Sequence, residues 1–340
     1  MNQKNSVLKV ENLCKKFNKE AGFFAPIGDL VTAVDGVDFS LGKGETYGLV
    51  GESGCGKTTT ARLLVRMYPA TSGKILYQGN GDKDEEIDVG ALGKKDLKLY
   101  RERVKYIFQD PGRSLNPRMT VKEILLSGLR YSKKWPGEKK AGELASTLLE
   151  ETGFSSGDLN RKPGDFSGGQ RQRISIARAL VMEPEILICD EVVSALDVSI
   201  QGQILNLLGE IRKKRDLSMI FITHDLKIAC YFCDRIGVMY HGKIQEEAPA
   251  KDLYRKCLHP YTKLLFSCAG GGALNAGFSG ETPCYSGSLP HTMGIKGKNC
   301  FSTEGCAFAP RCPLAEKNCF ENKPAPKLVG KDHLVRCFKV

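Results

Sequence analysis

The stretch GESGCGKT, residues 51–58, decides the fold of this 340-residue chain. It matches the pattern G-x-x-x-x-G-K-[ST] and lies between an apolar run, TYGLVG (46–51), and a helical pattern over 57–66. The glycines let backbone N–H groups turn inward around phosphate oxygens, and the helix N-terminus adds partial positive charge. We therefore predict a phosphate-binding loop (P-loop) in which Lys57 reaches the β- and γ-phosphates of a nucleotide and Thr58 binds Mg²⁺. The residues expected around the phosphates are Gly51, Glu52, Ser53, Gly54, Cys55, Gly56, Lys57, Thr58 and Thr59.

The run ILICDE (186–191) supplies the acids that such a loop needs. Its four apolar residues predict a buried strand, and ligands bind at the carboxyl ends of strands in sheets of this kind. We predict that Asp190 holds Mg²⁺, directly or through water. Glu191 is predicted to polarise the attacking water as a general base.

Short apolar runs alternate with helical patterns over the first 245 residues. This alternation predicts an α/β domain with a largely parallel sheet. Strands are predicted at 7–13, 46–51, 104–108, 185–190, 218–223 and 235–240. Helices are predicted at 57–66, 121–130, 138–152, 168–182, 200–215 and 225–233, with a short one at 257–268. Residues 270–300 are rich in Gly, Ser, Thr and Pro, which is typical of a linker.

The composition is that of a globular protein, with 41% hydrophobic and 26% charged residues. The formal net charge of +11 is compatible with an anionic ligand, anionic lipid, nucleic acid or a solvated surface, and does not choose among them. The chain begins without a signal-peptide pattern and has no apolar run suited to a membrane span. These observations predict a cytosolic protein.

The run DFSGGQRQRISIARAL (165–180) predicts a long amphipathic helix opened by Ser167, Gly168 and Gly169. Read alone, this opening could be a simple helix cap. Beside the P-loop, it resembles the signature of ATP-binding cassette (ABC) proteins. Other family landmarks follow in the right order: Gln109 in IFQDP resembles the Q-loop glutamine, SALD (194–197) the D-loop, and His224 the switch histidine.

The ABC resemblance implies a fold, a site and an assembly. The fold would be a RecA-like core with a helical subdomain at about 110–180, together spanning residues 1–256. Two such domains would pair head to tail with ATP between them, so that the signature of one contacts ATP bound by the other. Hydrolysis would use Glu191, with Gln109 binding Mg²⁺ and His224 sensing the γ-phosphate. Further nucleotide contacts would come from Ser167, Gly168, Gly169, Gln170, Asp197 and Phe17, the last stacking on adenine with Phe23 and Phe24 as rivals.

Longer runs resemble the oligopeptide/dipeptide/nickel importers within the ABC family. They are AVDGVDFSLGKGETYGLVGESGCGKTT (33–59), YIFQDPGRSLNPRMTV (106–121) and HPYTKLLFS (259–267), and the insertion KEAGFFAPIGDLV (19–31) resembles the F-type ATPase subunit. The resemblance implies a D-type sister ATPase, two permeases and an extracytoplasmic binding protein, with this chain at the cytoplasmic face of the membrane. The cargo would be a di- or oligopeptide, with a nickel chelate or haem left open. One departure is Val192, where the family usually has proline after the catalytic glutamate.

Two other classes of ABC protein fit the sequence less well. Soluble ABC proteins that act on ribosomes usually carry two cassettes, and those that act on DNA carry a long coiled coil; neither is present in this sequence. Exporters often fuse membrane spans to the cassette. The expected partners therefore do not include nucleic acid.

The last forty residues, 301–340, predict a small Cys-rich metal-binding appendage that follows a C-terminal region and linker at 257–300. Cys306, Cys312, Cys319 and Cys337 are spaced as possible ligands in a segment too short to build its own core. Four thiolates suit Zn²⁺ or a [4Fe–4S] cluster, and their spacing alone does not choose. Peptide-transporter ATPases have a similar tail, which favours the [4Fe–4S] cluster; an unliganded or disulfide-bonded tail is the alternative.

Overall fold

The computed structural model describes residues 6–18, 30–79, 86–268 and 304–340. The predicted linker at 270–300 and the rival aromatic pair, Phe23 and Phe24, lie outside these ranges. The strands described are β1 (Ser6–Asn18), β2 (Leu30–Gly42), β3 (Thr46–Val50), β4 (Ser72–Tyr77), β5 (Ile87–Asp88), β6 (Val104–Ile107), β7 (Ile186–Asp190), β8 (Ser218–Thr223), β9 (Arg235–Tyr240), β10 (Lys243–Pro249), β11 (Lys327–Val329) and β12 (His333–Val335). The α-helices described are α1 (Lys57–Leu64), α2 (Lys94–Arg103), α3 (Pro111–Ser114), α4 (Val121–Leu126), α5 (Glu138–Glu151), α6 (Gly168–Leu180), α7 (Val198–Arg215), α8 (Leu226–Phe232), α9 (Ala250–Arg255), α10 (Pro260–Cys268) and α11 (Lys317–Glu321).

The strands of the described ranges form two sheets. The larger has the order β11-β12-β10-β9-β3-β8-β7-β6, and its strands from β9 to β6 run parallel. The smaller is antiparallel, in the order β2-β1-β4-β5. The predicted α/β fold with a largely parallel sheet is confirmed.

The central strands are mostly apolar because both faces of the sheet are covered. Every residue of β3, β7 and β8 is buried. Since these strands are neighbours in the order β3-β8-β7, their carboxyl ends meet at one edge of the sheet. The P-loop follows β3, and Asp190 ends β7, so this edge brings the phosphate loop and the acids together.

Helices α3 to α6 lie between β6 and β7 in the chain, in the part predicted to be the helical subdomain. Helix α4 begins with a capping box in which the Thr120 hydroxyl accepts from the Glu123 N–H and the Glu123 carboxylate accepts from the Thr120 N–H. It ends at Leu126, short of the predicted end at residue 130, and a 3₁₀ turn follows at Leu129–Tyr131. Ser127 and Gly128 keep right-handed helical dihedrals, so the chain passes from α4 into this turn without reversing direction.

The C-terminal tail, residues 304–340, is joined to the large sheet. Strand β12 pairs with β10, with Val335 opposite Glu246, and β11 adds to its outer edge. Phe308 is 1% exposed and belongs to the main hydrophobic core. The tail, expected as a separate appendage, instead uses the core of the large domain, because its own length supplies too little apolar surface.

None of the helices in the described ranges is long and apolar enough to cross a membrane.

Candidate nucleotide site

The P-loop leaves β3 at Val50 and enters α1 at Lys57. Two of its glycines are required by their surroundings. A Cβ at Gly51 would lie 2.1 Å from the Met239 carbonyl oxygen, and one at Gly56, where φ is +110°, would lie 2.3 Å from the Ala33 carbonyl oxygen. The backbones of β9 and β2 therefore fix the path of the loop.

Lys57 directs its charge into the loop. It is 4% exposed, and its Nζ donates to the carbonyl oxygens of Gly51 at 2.7 Å and Glu52 at 2.9 Å. These two contacts hold the ammonium over the turn where phosphate oxygens are expected.

The structure brings Asp190 and Thr58 together. The Thr58 hydroxyl donates to Asp190 Oδ1 at 3.1 Å, and the Tyr106 hydroxyl donates to Asp190 Oδ2. Burial raises the pKa of Asp190, and the hydrogen bonds from Tyr106 and Thr58 oppose that rise. A hydroxyl and a carboxylate side by side are the oxygen ligands that Mg²⁺ prefers, so this pair fits the ion.

Glu191 follows β7 in a left-handed backbone conformation, with φ at +49°. Its carboxylate accepts a hydrogen bond from Gln109 Nε2 at 2.8 Å, and His224 Nδ1 lies 3.7 Å from the same oxygen. Three residues that are distant in the chain, Gln109, Glu191 and His224, therefore meet beside Asp190. The turn after Glu191 closes without the usual proline, since the Ser194 N–H donates to the Glu191 carbonyl at 3.1 Å and Val192 is buried.

The signature residues open α6 at the protein surface. The Ser167 hydroxyl accepts from the Gln170 N–H at 3.3 Å, and Gln170 Oε1 accepts from the Ser167 N–H at 2.8 Å. Gly169 is close-packed, since a Cβ there would lie 2.6 Å from Ile200. Ser167 and Gln170 are exposed, as is Asp197 at the start of α7. The N-terminus of α6 is therefore capped by its own side chains and still accessible at the surface.

Phe17, near the end of β1, is partly exposed and contacts the ring of Tyr68 edge-on at 5.6 Å between centroids. The ammonium of Lys15 lies 5.0 Å from the Phe17 centroid. Phe17 pairs with Val31, two residues before Ala33, whose carbonyl touches the P-loop. The adenine-stacking role of Phe17 stays a prediction.

The four tail cysteines line one cavity of about 20 Å³ together with His259 and Phe308. Burial raises the pKa of Cys306, Cys312 and Cys337, which favours neutral thiols at neutral pH. Four thiols are a ligand set that Zn²⁺ or a [4Fe–4S] cluster accepts. The cavity, however, has room for about one water-sized group, and no three His, Cys, Asp or Glu side chains in the described ranges are arranged to hold a metal ion. The thiols therefore suit either metal by donor type but are not arranged around a metal position in the described ranges, and a four-iron cluster would require them to move apart.

Sequence reasoning missed three side chains around the nucleotide site. Tyr106 holds Asp190, while Tyr261 and Arg311 both contact Glu52. Tyr261 lies in the run HPYTKLLFS, and Arg311 lies in the cysteine-rich tail. Nothing in the local pattern connects either run to the P-loop, because the contacts join residues more than 200 positions apart.

Comparisons with known proteins agree with this geometry. A sequence profile described as "ABC transporter" matches residues 34–194, and one described as "Oligopeptide/dipeptide transporter, C-terminal region" matches residues 245–319. The oligopeptide transport ATP-binding protein AppF of Bacillus subtilis is 40% identical over 98% of this chain and 97% of its own length. The oligopeptide transport ATP-binding protein OppF of the same organism is 50% identical over 72% of this chain and 78% of its own length.

Solved ABC structures share the fold. The ATP-binding cassette MJ0796, in a dimeric post-hydrolysis state bound to ADP and Pi, superposes with a TM-score of 0.61 and 26% identity over 72% of this chain and 98% of that one. CbiO1 of Clostridium perfringens, part of the ABC transporter complex cbiONQ, gives a TM-score of 0.61 and 27% identity over 74% of this chain and 91% of its own. The chain therefore belongs to the ABC transporter family, as an ATPase of the group that carries the oligopeptide/dipeptide transporter C-terminal region.

Proposed function

We propose that this chain is the ATP-hydrolysing subunit of an importer that takes up di- or oligopeptides. The observation that carries the proposal is the meeting of Thr58, Asp190 and Glu191 at the P-loop edge of the sheet. The peptide cargo is supported by the match to the C-terminal region and by the names of the relatives, which also disfavour action on ribosomes or DNA.

Each side chain of the site has its own role in the hydrolytic step. Glu191 takes a proton from the water whose oxygen forms the new bond to the γ-phosphorus, while the bond to the β-phosphate oxygen breaks. Lys57 neutralises charge on the transferred group, and His224 and Gln109 orient the Glu191 carboxylate from two sides. Mg²⁺, when bound with the nucleotide, supplies further charge neutralisation, and Thr58, Asp190 and Gln109 would hold it.

The second half of each site comes from a second ATPase. The exposed Ser167 caps the N-terminus of α6, and Gly168 and Gly169 form its first turn, which suits an anion bound by another subunit. The neighbouring Asp197 is exposed. Val198, next to the D-loop, is an apolar residue that is 68% exposed, and a second ATPase packed here would bury it. We propose a head-to-tail pair with a D-type sister ATPase, attached to two permeases at the cytoplasmic face of the membrane.

Reconstitution tests the proposal. The chain is co-expressed with the permeases and sister ATPase of its gene neighbourhood, purified in detergent and placed in lipid nanodiscs. ATP turnover should rise when the extracytoplasmic binding protein is added with a peptide, compared with the same binding protein free of peptide. Stimulation by a nickel chelate or haem and not by peptide would contradict the cargo. Co-purification with ribosomes or DNA in place of permeases would contradict the function.

We also propose that the four tail thiols bind a metal, with a [4Fe–4S] cluster favoured by the family resemblance and Zn²⁺ as the alternative. The support is that four cysteines spread over residues 306–337 line one cavity. Bound metal would replace thiol protons and add covalent links to a segment short of apolar contacts. The role is structural, since the cavity that these thiols line includes neither Glu191 nor Asp190.

Anaerobic purification with iron, sulfide and zinc analysis and visible absorption tests the metal. Cys312→Ser should abolish the metal content, while the control Cys14→Ser, outside the tail, should retain it. Colourless protein with stoichiometric zinc would contradict the iron–sulfur assignment. Metal-free protein from anaerobic cells would contradict both.

A further inference from the structure

One ion pair connects the cysteine-rich tail to the P-loop. The guanidinium of Arg311 contacts both carboxylate oxygens of Glu52, with Nη1–Oε2 at 2.8 Å and Nη2–Oε1 at 2.9 Å. The two residues are 259 positions apart. This two-pronged geometry is the strongest that arginine and a carboxylate form, and lysine cannot reproduce it.

Both members of the pair are held by other groups. The Glu52 N–H donates to the hydroxyl of Tyr261 at 2.9 Å, and Tyr261 is fully buried. The Arg311 guanidinium lies 5.8 Å from the ring centroids of both Tyr240 and Phe308. Less side-chain freedom is therefore lost when this pair forms than in an ordinary surface salt bridge.

The tail segment that carries Arg311 is anchored three residues earlier. Phe308 packs at 5.4 Å from the ring centroids of Tyr240 and Tyr261 and at 5.8 Å from that of His259. We call these four residues the aromatic cluster. Tyr240 ends β9, which also backs the P-loop through Met239, so the cluster lies between the tail and the loop.

The charge of Glu52 is unfavourable for the ligand of this loop. Its carboxylate is on the second residue of a turn that surrounds a polyanion, so a negative charge left unpaired there repels the ligand, to a degree that solvent reduces because the side chain is 40% exposed. Arg311 neutralises that carboxylate and draws it toward the tail. The N–H of Glu52 is already used by Tyr261, so the orientation of the whole residue is set by C-terminal groups.

We infer that Arg311 is a positioning residue for ATP binding, which holds and neutralises Glu52 so that the cysteine-rich tail sets the nucleotide affinity of the P-loop. The inference rests on the ATP site proposed above. It assigns the tail a function at the nucleotide site, which is distinct from metal binding at its thiols. The tail thus acts on nucleotide binding and leaves Glu191 untouched.

A set of four variants tests the inference by ATP titration of the purified full-length chain in a calorimeter. Arg311→Ala should weaken ATP binding by roughly tenfold, because Glu52 is left as an uncompensated negative charge. Glu52→Gln should tighten ATP binding, because Arg311 then remains as an unpaired positive charge beside the loop. The double variant should return to within about threefold of the wild type. Lys317→Ala, which removes an exposed tail cation paired with Glu321, is the matched control and should change nothing.

The opposite signs of the two single variants separate the inference from a purely structural bridge, which both substitutions would break with the same loss of affinity. In the assembled transporter, Arg311→Ala should raise KM for ATP and keep kcat, since the residues of the chemical step are unchanged. Should Arg311→Ala fail to fold, Glu52→Gln and Arg311→Lys carry the test, with ATP binding tightened in Glu52→Gln and weakened in Arg311→Lys by less than the roughly tenfold change expected for Arg311→Ala. Equal losses in Arg311→Ala and Glu52→Gln, or no change in either, would overturn the inference. A wild-type chain that binds no ATP would instead overturn the proposed function.

Discussion

Replacing Phe308 by alanine should release the C-terminal tail from the large domain. The side chain is 1% exposed and packs against Tyr240, His259 and Tyr261. It is one of the largest fully buried side chains of the domain, in a tail that is also held by the pairing of β12 with β10, the buried Val335, the His333–Glu246 contact and the partly exposed Arg311–Glu52 pair. The substitution therefore acts on tail docking more than on the central sheet.

The expected loss of docking free energy follows from these contacts. Removing a buried phenylalanine side chain costs about 3–5 kcal/mol. A partly exposed ion pair contributes only about 0.2–1 kcal/mol and does not offset this loss. Since about 1.4 kcal/mol is a tenfold change in an equilibrium constant, the population of the undocked tail should rise by roughly 100-fold or more.

Amide hydrogen exchange read by mass spectrometry measures this opening. The reporter is the region of β12, where the Arg336 N–H donates to the Gln245 carbonyl at 2.8 Å. Its exchange should accelerate by roughly 100-fold in Phe308→Ala. Leu328→Ala removes an apolar side chain of the same tail that is 58% exposed, and it should change exchange by less than about threefold. Equal exchange in the two variants would refute the anchoring role of Phe308.

Two further predictions concern Tyr106 and His259. Tyr106→Phe removes the hydroxyl that donates to Asp190, which should weaken Mg²⁺ binding by about 1.5 kcal/mol. The Mg²⁺ concentration for half-maximal ATP turnover should therefore rise roughly tenfold. An unchanged Mg²⁺ dependence would count against the assignment of Asp190 as a Mg²⁺ ligand. Burial lowers the pKa of His259 to about 4, below its unfolded value of about 6.5. The stability linked to this residue is therefore complete above pH 6.5 and is lost as the pH falls from 6.5 towards 4, by about 3 kcal/mol in all. His259→Asn keeps an acceptor for the Tyr261 N–H and should remove this slope in urea unfolding at a series of pH values; a slope equal to that of the wild type would contradict the cause.

The sequence predicted those parts of the site that depend on short runs of neighbouring residues. The strand before Gly51, the helix after Gly56, and the acids at the end of an apolar strand are each contained within about ten residues. Their meeting at one sheet edge follows from the parallel α/β pattern alone. The structure places Gln109 in contact with Glu191, and the chemical roles of both residues remain predictions.

The parts that the sequence did not predict depend on long-range contacts. Strand β2 (Leu30–Gly42) was not predicted, since its run mixes charged and glycine residues with apolar ones and gains its regularity from pairing with β1. In the sequence, the cysteine spacing suggests that the tail is a separate unit. The burial of a single aromatic residue, Phe308, in the core of the large domain has no comparable pattern. Arg311 has no local signal for its partner, since Glu52 lies 259 residues away.

We expect this chain to hydrolyse ATP with Glu191 as the base, at a site built by the P-loop and β7. The most direct measurement is ATP turnover of the assembled complex carrying Glu191→Gln, beside Glu210→Gln, which changes an exposed glutamate on α7. ATP binding should be retained in both variants. Turnover in Glu191→Gln should fall at least about 100-fold, the lower end of what a positioned general base contributes, while Glu210→Gln should match the wild type. Turnover in Glu191→Gln equal to that of the wild type would contradict the account.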